Sequence, residues 1–264
     1  MIEGLLLGAV VGITMGLTGA GGGILAVPLL VFGMHLSVVE AGPIGLFAVG
    51  VSAAVGALIG LRSRIVRYRA ALLIASSGVL LAPAGVWLAH RLDTRLLSLL
   101  FAVVLIWVAF RSFRQSSGHS NPLAPIILDR PCMRDDMSGH FIWTSKCVVI
   151  LSIAGTLAGF LSGLLGVGGG FVMVPVLQRY TDLETQSIIA TSLAVIALVS
   201  IVGVATSMSV GHLNINVALP FAAGSVAGLG VGKVLTGHLS QKYLKTTFAV
   251  VCLGVAMMMI VRSL

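Results

Sequence analysis

The chain has 264 residues, 58% of them hydrophobic and only 9% charged, with a mean hydropathy of +1.10. Soluble domains typically hold about 45–50% apolar and about 25% charged residues, so the composition excludes a soluble globular protein and indicates an integral membrane protein. The formal charge of +8 does not call for nucleic acid, because the basic residues sit in short loops between apolar runs, where topology accounts for them.

Taken in chain order, the runs long enough for about 30 Å of hydrocarbon begin with 4–34. This run lacks a basic leader, so no cleavable signal peptide is expected. It is interrupted by Gly16-Leu-Thr-Gly-Ala-Gly-Gly-Gly-Ile-Leu-Ala-Val-Pro28. Runs at 41–61, 70–89 and 96–110 follow, with Arg62, Arg64, Arg67 and Arg69 between the first two. Residues 111–146 are polar, with prolines at 122, 125 and 131 and the charged stretch Arg134-Asp135-Asp136. A second set spans 148–177, 187–208, 217–235 and 243–261, and its first run is interrupted by Gly163-Leu-Leu-Gly-Val-Gly-Gly-Gly-Phe-Val-Met-Val-Pro175. The expected fold is all-α: a polytopic transmembrane helical bundle of two four-segment repeats, 1–112 and 147–264, joined by a polar loop at 113–146.

The two halves keep a constant offset of 147 residues. Leu72 corresponds to Leu219, Gly85 to Gly232, and Phe101-Ala-Val-Val104 to Phe248-Ala-Val-Val251. A unit of this length fits the duplicated halves of a transporter. If each glycine-broken run crosses once, the halves are parallel and 10 of the 16 Lys+Arg lie inside. If each enters and returns, Arg179, Lys233, Lys242 and Lys245 move inside, Arg262 moves out, and the count becomes 13 inside with Arg91, Arg95 and Arg262 outside. The second arrangement obeys the positive-inside rule better. It makes the repeats inverted, each opening with a re-entrant break, with both termini outside.

Small residues recur at four-residue spacing in Gly8/Gly12/Gly16, Gly56/Gly60, Gly155/Gly159/Gly163 and Gly224/Gly228/Gly232. Such stripes let helices approach closely in lipid. Packing within one subunit is the expected use, and a homo-oligomer is the other. Cys132, Cys147 and Cys252 show no CxxC or metal spacing and are expected to be inert thiols.

Three consecutive glycines cost roughly 1 kcal/mol each in a helix, so two equivalent breaks need a reason. In a bilayer, broken backbone is tolerated only where protein covers it or it lines a cavity. Each break exposes backbone N–H groups, and the half-helix starting near Gly23 or Gly170 turns its positive dipole end toward it. Such ends bind anions. No Lys or Arg interrupts the long apolar runs, so backbone and hydroxyl groups are the donors at hand. The candidate substrate site is Thr18, Gly19, Gly21, Gly22 and Gly23 from the first break, with Ser162, Gly166, Gly168, Gly169 and Gly170 from the second. Thr191 and Ser192, early in the next run, complete it. Back-bonding to a carbonyl one turn earlier is the competing use of these hydroxyls. Valine at Gly22 or Gly169 is expected to abolish transport while leaving insertion intact.

Glu40 is the candidate for proton coupling, because an acid in the membrane is costly unless used. His35, His90, His212 and His238 fall at run ends and suit interfacial positions. Gly19-Ala-Gly21 and Gly166-Val-Gly168 do not make a dinucleotide fingerprint, since Ile24 and Phe171 stand where the third glycine belongs. The apolar runs carry no acid pair, no HExxH and no Cys/His cluster, so no enzyme, cofactor or metal is expected.

In the duplicated GxGGGxxxxP pattern and Ala190-Thr-Ser-Leu193, the chain resembles the sulfite exporter TauE/SafE family of membrane permeases. The resemblance spans almost the whole chain. It implies ATP-independent transport of sulfite, sulfonates or related small sulfur-containing anions through a cell (inner) membrane; a passive small-anion channel with the same fold is the alternative. Gly42-Pro-Ile-Gly45 departs from the pattern, standing where the second half has its Thr-Ser pair.

Overall fold

The computed structural model describes residues 2–19, 22–116, 132, 144–209, 214–235 and 241–263. Gly21, His212, His238 and most of the 113–146 loop, including Arg134-Asp135-Asp136, lie outside the described residues. The described residues form ten α-helices: α1 (Ile2–Thr18), α2 (Ala26–Gly33), α3 (Val38–Arg62), α4 (Tyr68–Arg91), α5 (Thr94–Ser116), α6 (Ser145–Leu165), α7 (Gly170–Tyr180), α8 (Thr185–Ser209), α9 (Ile215–Leu235) and α10 (Gln241–Ser263). Six helices are long and apolar enough to cross a membrane: Val38–Arg62, Tyr68–Arg91, Thr94–Arg114, Ser145–Leu165, Thr185–Ser209 and Ile215–Leu235.

Both glycine-broken runs double back. α1 rises about 25 Å at 1.5 Å per residue before its break. A 3₁₀ turn at Gly22–Leu25 and then α2 return the chain, so that a Cβ on Gly33 would come within 2.6 Å of Leu7 Cδ1. In the second half, α6 and α7 form the equivalent hairpin, and its two ends are linked. Cys147, in the first turn of α6, is disulfide-bonded to Cys132, which in turn pairs as an isolated parallel bridge with Thr181, just past α7. The expectation of three inert thiols therefore fails for this pair, whose Cα atoms are 5.2 Å apart; Cys252 is a free, buried thiol. The spacing gave no warning because residue 132 lies in the loop, and only folding brings it to α6.

The glycine stripes pack helices within the chain. Gly8, Gly12 and Gly16 of α1 lie against Phe221, Ser225 and Leu229 of α9, where a Cβ on Gly12 would overlap Ser225 O. Gly155, Gly159 and Gly163 of α6 lie against Ile74, Gly78 and Ala82 of α4 in the same way. Adding 147 to each member of the first pairing identifies its counterpart in the second, because Ile74, Gly78 and Ala82 are the repeat mates of Phe221, Ser225 and Leu229. α3 packs on α8 and α5 on α10, each helix against its own repeat mate. The described contacts of one half thus recur at the corresponding positions of the other, with α3 and α8 packed together between them.

Helix ends follow local rules. Ser37 caps α3 through a capping box with Glu40, and Thr144 caps α6 by accepting from Cys147 N–H at 3.3 Å. α6 stops at Gly166, which adopts φ +71° and donates its N–H to Ser162 O at 2.9 Å.

Candidate anion site at the paired glycine breaks

The two breaks reach the same central region from opposite hairpins. A Cβ on Gly23 would lie 3.1 Å from Val167 O and 3.0 Å from Val49 Cγ1. Val49 also faces the other break, 3.1 Å from a Cβ on Gly168, while its repeat mate Ile196 lies 2.8 Å from that same point. The hairpin tips pass beyond this centre. Gly19, at φ +82°, meets Ile189 of α8, and the tip of the second hairpin at Gly166 meets Gly42 and Gly45 of α3. That contact supplies a steric reason for Gly42-Pro-Ile-Gly45: a Cβ on Gly45 would stand 3.4 Å from Gly166 O, so the tip leaves little room for larger side chains.

The breaks share a sequence pattern and open alike, with Gly19 at φ +82° and its mate Gly166 at φ +71°, but they close differently. Gly22 starts a 3₁₀ turn, whereas its mate Gly169 takes φ +68°, next to Gly168 at +80°, and α7 starts directly at Gly170. Both conformations at 168–169 are left-handed, which favours glycine. Gly169 O accepts from Val172 and Met173, leaving the N–H groups of Gly169, Gly170 and Phe171 without intrahelical acceptors, as at any helix start. Two hydroxyls join them. Ser162 and Ser200 are each only 1% exposed, and neither Oγ has a hydrogen-bond partner. Ser200 Oγ lies 3.8 Å from the Cβ position of Gly168 and 3.2 Å from that of Gly50, which places it between α3 and the second break. An unpaired buried hydroxyl costs about 1–3 kcal/mol, so Ser162 and Ser200, with the helix-start N–H groups, are candidate donors to a polar ligand.

The remaining hydroxyls named from sequence are engaged. Thr18 donates to Thr14 O at 2.7 Å and Ser192 to Ile189 O at 2.8 Å, the back-bonding alternative. Thr191 accepts from Arg67 N–H at 3.1 Å, tying α8 to the start of α4. The sequence reading missed Ser200, and also the buried Ser52–Ser225 pair, whose oxygens lie 2.6 Å apart and which joins α3 to α9. The available signal was a lone hydroxyl in mid-helix of an otherwise apolar run. Beside Gly163 and Gly166, a cavity of about 20 Å³, bordered also by Pro43, His90 and Ser207, has room for one water.

Glu40 is part of the capping box: its Oε2 accepts from Ser37 N–H at 3.0 Å and from Ser37 Oγ at 2.8 Å. Glutamine fills the same capping role. Glu40→Gln is therefore expected to leave flux and its pH dependence unchanged, while Glu40→Ala lowers stability by about 0.5–2 kcal/mol. A pH profile of proteoliposome flux and a thermal melt check the two halves of this statement. A displaced pH profile in the glutamine variant would restore the proton-coupling role.

Comparison with known proteins finds a membrane-transporter family. The sequence model of the family described as Sulfite exporter TauE/SafE matches residues 4–259. A "Probable membrane transporter protein" of Xylella fastidiosa is 29% identical over 262 residues, covering 97% of this chain and 93% of its own. Similarly named proteins of Methanocaldococcus jannaschii and Bacillus subtilis are 26% and 25% identical, covering 91% and 90% of this chain and 88% and 89% of their own. No solved structure matches the chain.

Proposed function

The chain belongs to the Sulfite exporter TauE/SafE family, and on that premise we propose that it is a secondary transporter of the cell membrane that exports small sulfur-containing anions such as sulfite or organosulfonates. The observation that carries the anion site is the pair of unpartnered buried hydroxyls, Ser162 and Ser200, beside the left-handed break and the start of α7. The donors there are neutral, so they stabilise a dehydrated anion without a fixed charge that would hold it too tightly for release. Close apposition of Gly23 and Val167 at the centre favours a carrier, in which this contact must part, over a standing channel.

The doubled-back hairpins support inverted repeats with both termini outside. The ends of α3, α5, α7 and α9 then share one side with the connector, and that side carries 13 of the 16 Lys+Arg. Charge and thiol chemistry disagree here, since the Cys132–Cys147 disulfide lies on this same side and disulfides persist in oxidising compartments. We weight the charge. It rests on many residues, whereas two fully buried sulfurs held together by the fold can remain a dithiol where the compartment is reducing.

The test is flux into proteoliposomes with sulfite, sulfate, thiosulfate, taurine, sulfoacetate and chloride as competing anions. Saturable uptake of at least one sulfur oxyanion is expected, and Ser200→Ala should reduce it about 10-fold to 100-fold, the effect of losing a hydrogen bond to a charged ligand. Its melting temperature should stay level or rise, because the hydroxyl has no partner to lose. Failure of every sulfur anion overturns the substrate, and unchanged flux in Ser200→Ala overturns the site.

A further inference from the structure

We propose that Arg111 and Arg179 form a second oxyanion site, at the mouth of the second hairpin on the basic side of the bundle. Arg111 lies in the last turns of α5, inside the stretch Thr94–Arg114 that is apolar enough to span a membrane. Its Nη2 donates to Pro175 O, the proline of the second glycine motif, at a long 3.5 Å. Its Nε is fully covered and has no hydrogen-bond partner. Arg179, in the last turn of α7, stands one helical turn beyond Pro175, so the cation nearest along that helix has the same sign as Arg111. Among the described residues, neither guanidinium is held by a carboxylate: Arg111 stacks on Trp107 and Arg179 on Tyr180.

Arg111, docked on Pro175, and Arg179, one turn further along the same helix, come from different halves of the chain, and among the described residues no acid is bonded to either; such a pair is destabilising unless an anion joins it. The planar fork of arginine matches a ligand with two or more oxygens on one centre, such as sulfite, a sulfonate or a phosphate. A single-atom anion such as chloride cannot use the fork. The repeat mates of these residues are Phe32 and Met258, so the opposite mouth lacks the pair. That mouth holds a cavity of about 270 Å³ with Arg95 and His35 on its border, but no guanidinium pair is built from the two repeats there. The site stands on its own geometry, and only its role as the station that loads the central breaks rests on the transport reading.

Trp107 supplies the reporter. With Trp87→Phe and Trp143→Phe in place, it is the only tryptophan left of the chain's three. In phosphatidylcholine nanodiscs, titration of the full-length protein with sulfite or sulfate should shift its emission saturably, and chloride at equal ionic strength should not. Arg111→Gln and Arg179→Gln should each raise the half-saturating concentration about tenfold or more, the loss expected for one charge-assisted hydrogen bond. Arg111→Lys should fail to restore it, since an ammonium lacks the fork. If phosphatidylglycerol nanodiscs give the shift and free anions do not, and both glutamine variants abolish it, the oxyanion is a lipid headgroup and the site stands. Persistence of the sulfite response in Ser200→Ala while flux is lost separates this site from the central one. An equal response to chloride, no response to any oxyanion or anionic lipid, or responses unaltered in thermally stable Arg111→Gln and Arg179→Gln proteins would overturn the proposal.

Discussion

Gly169→Ala abolishes transport and destabilises the fold together, by about 2–5 kcal/mol. Its φ of +68° is a left-handed conformation that costs an L-residue roughly 1–2 kcal/mol. The new methyl would also stand 2.6 Å from Ala158 O, a backbone atom that cannot swing aside, and overpacking of this kind costs about 1–3 kcal/mol. Since proteins are stable by only about 5–15 kcal/mol, yield and melting temperature should both fall. The steric part holds at Gly22 as well, where a Cβ would overlap Met15 N. The sequence alone suggested that valine at these positions crowds a ligand cradle and leaves insertion intact, but the space beside both glycines is filled by the hairpin's own first helix. Gly23→Ala is the cleaner probe of function. Its methyl would meet Val49 Cγ1 at 3.0 Å, which a rotation of that side chain relieves, and Val167 O at 3.1 Å, which needs a backbone shift of only a few tenths of an ångström. Loss of flux with a melting temperature near wild type is expected for it. Wild-type stability and flux in Gly169→Ala would show that the second break is not held as described.

Gly12→Leu and Gly159→Leu each prevent folding, and to the same degree. Each would drive a side chain into a facing backbone, at Ser225 O and Gly78 O respectively. Relief requires parting α1 from α9, or α6 from α4, along the whole stripe, and in lipid no hydrophobic gain draws separated helices together again. The two contacts are repeat mates, so the losses should match. Gly230→Ala and Gly254→Ala are the controls: nothing lies within 4 Å of either Cβ position. Both should hold or gain stability, by up to about 0.5–1 kcal/mol. Size-exclusion profiles and thermal melts of detergent-solubilised protein decide it; a monodisperse, stable Gly159→Leu would contradict the packing.

Much of this architecture was legible in the sequence because it depends on periodicities. The apolar runs, the constant offset and the four-residue glycine stripes are all regular features, and the helices follow them. The double-back of each broken run was legible through loop charge, which responds to topology and not to detailed packing. What escaped was anything requiring two distant residues to meet. Ser200 is an ordinary hydroxyl in a helix until α8 is laid against the second break. Thr191 and Ser192 carried the strongest motif, yet their hydroxyls serve the α4 start and a carbonyl three residues back. Cys132 gives no sign in the loop sequence that its partner is at the head of α6.

The position of Cys132, against α6 and beside the end of α7, makes the two hairpins mechanically unequal. The second has its start joined to Cys132 through Cys147, and the backbone of Cys132 pairs with Thr181 at its end, so one loop residue touches both legs. At the corresponding place in the first hairpin the legs meet through side-chain contacts such as Leu7 with Gly33, which break without severing a bond. The backbone pairing at Thr181 must break before the second pair of legs can part, so spontaneous spreading is rarer on that side. Local opening therefore begins at the first hairpin, and amide protons there exchange ahead of those in α7. A cycle that parts the two hairpins in turn has a stiff hinge on one side and a compliant one on the other.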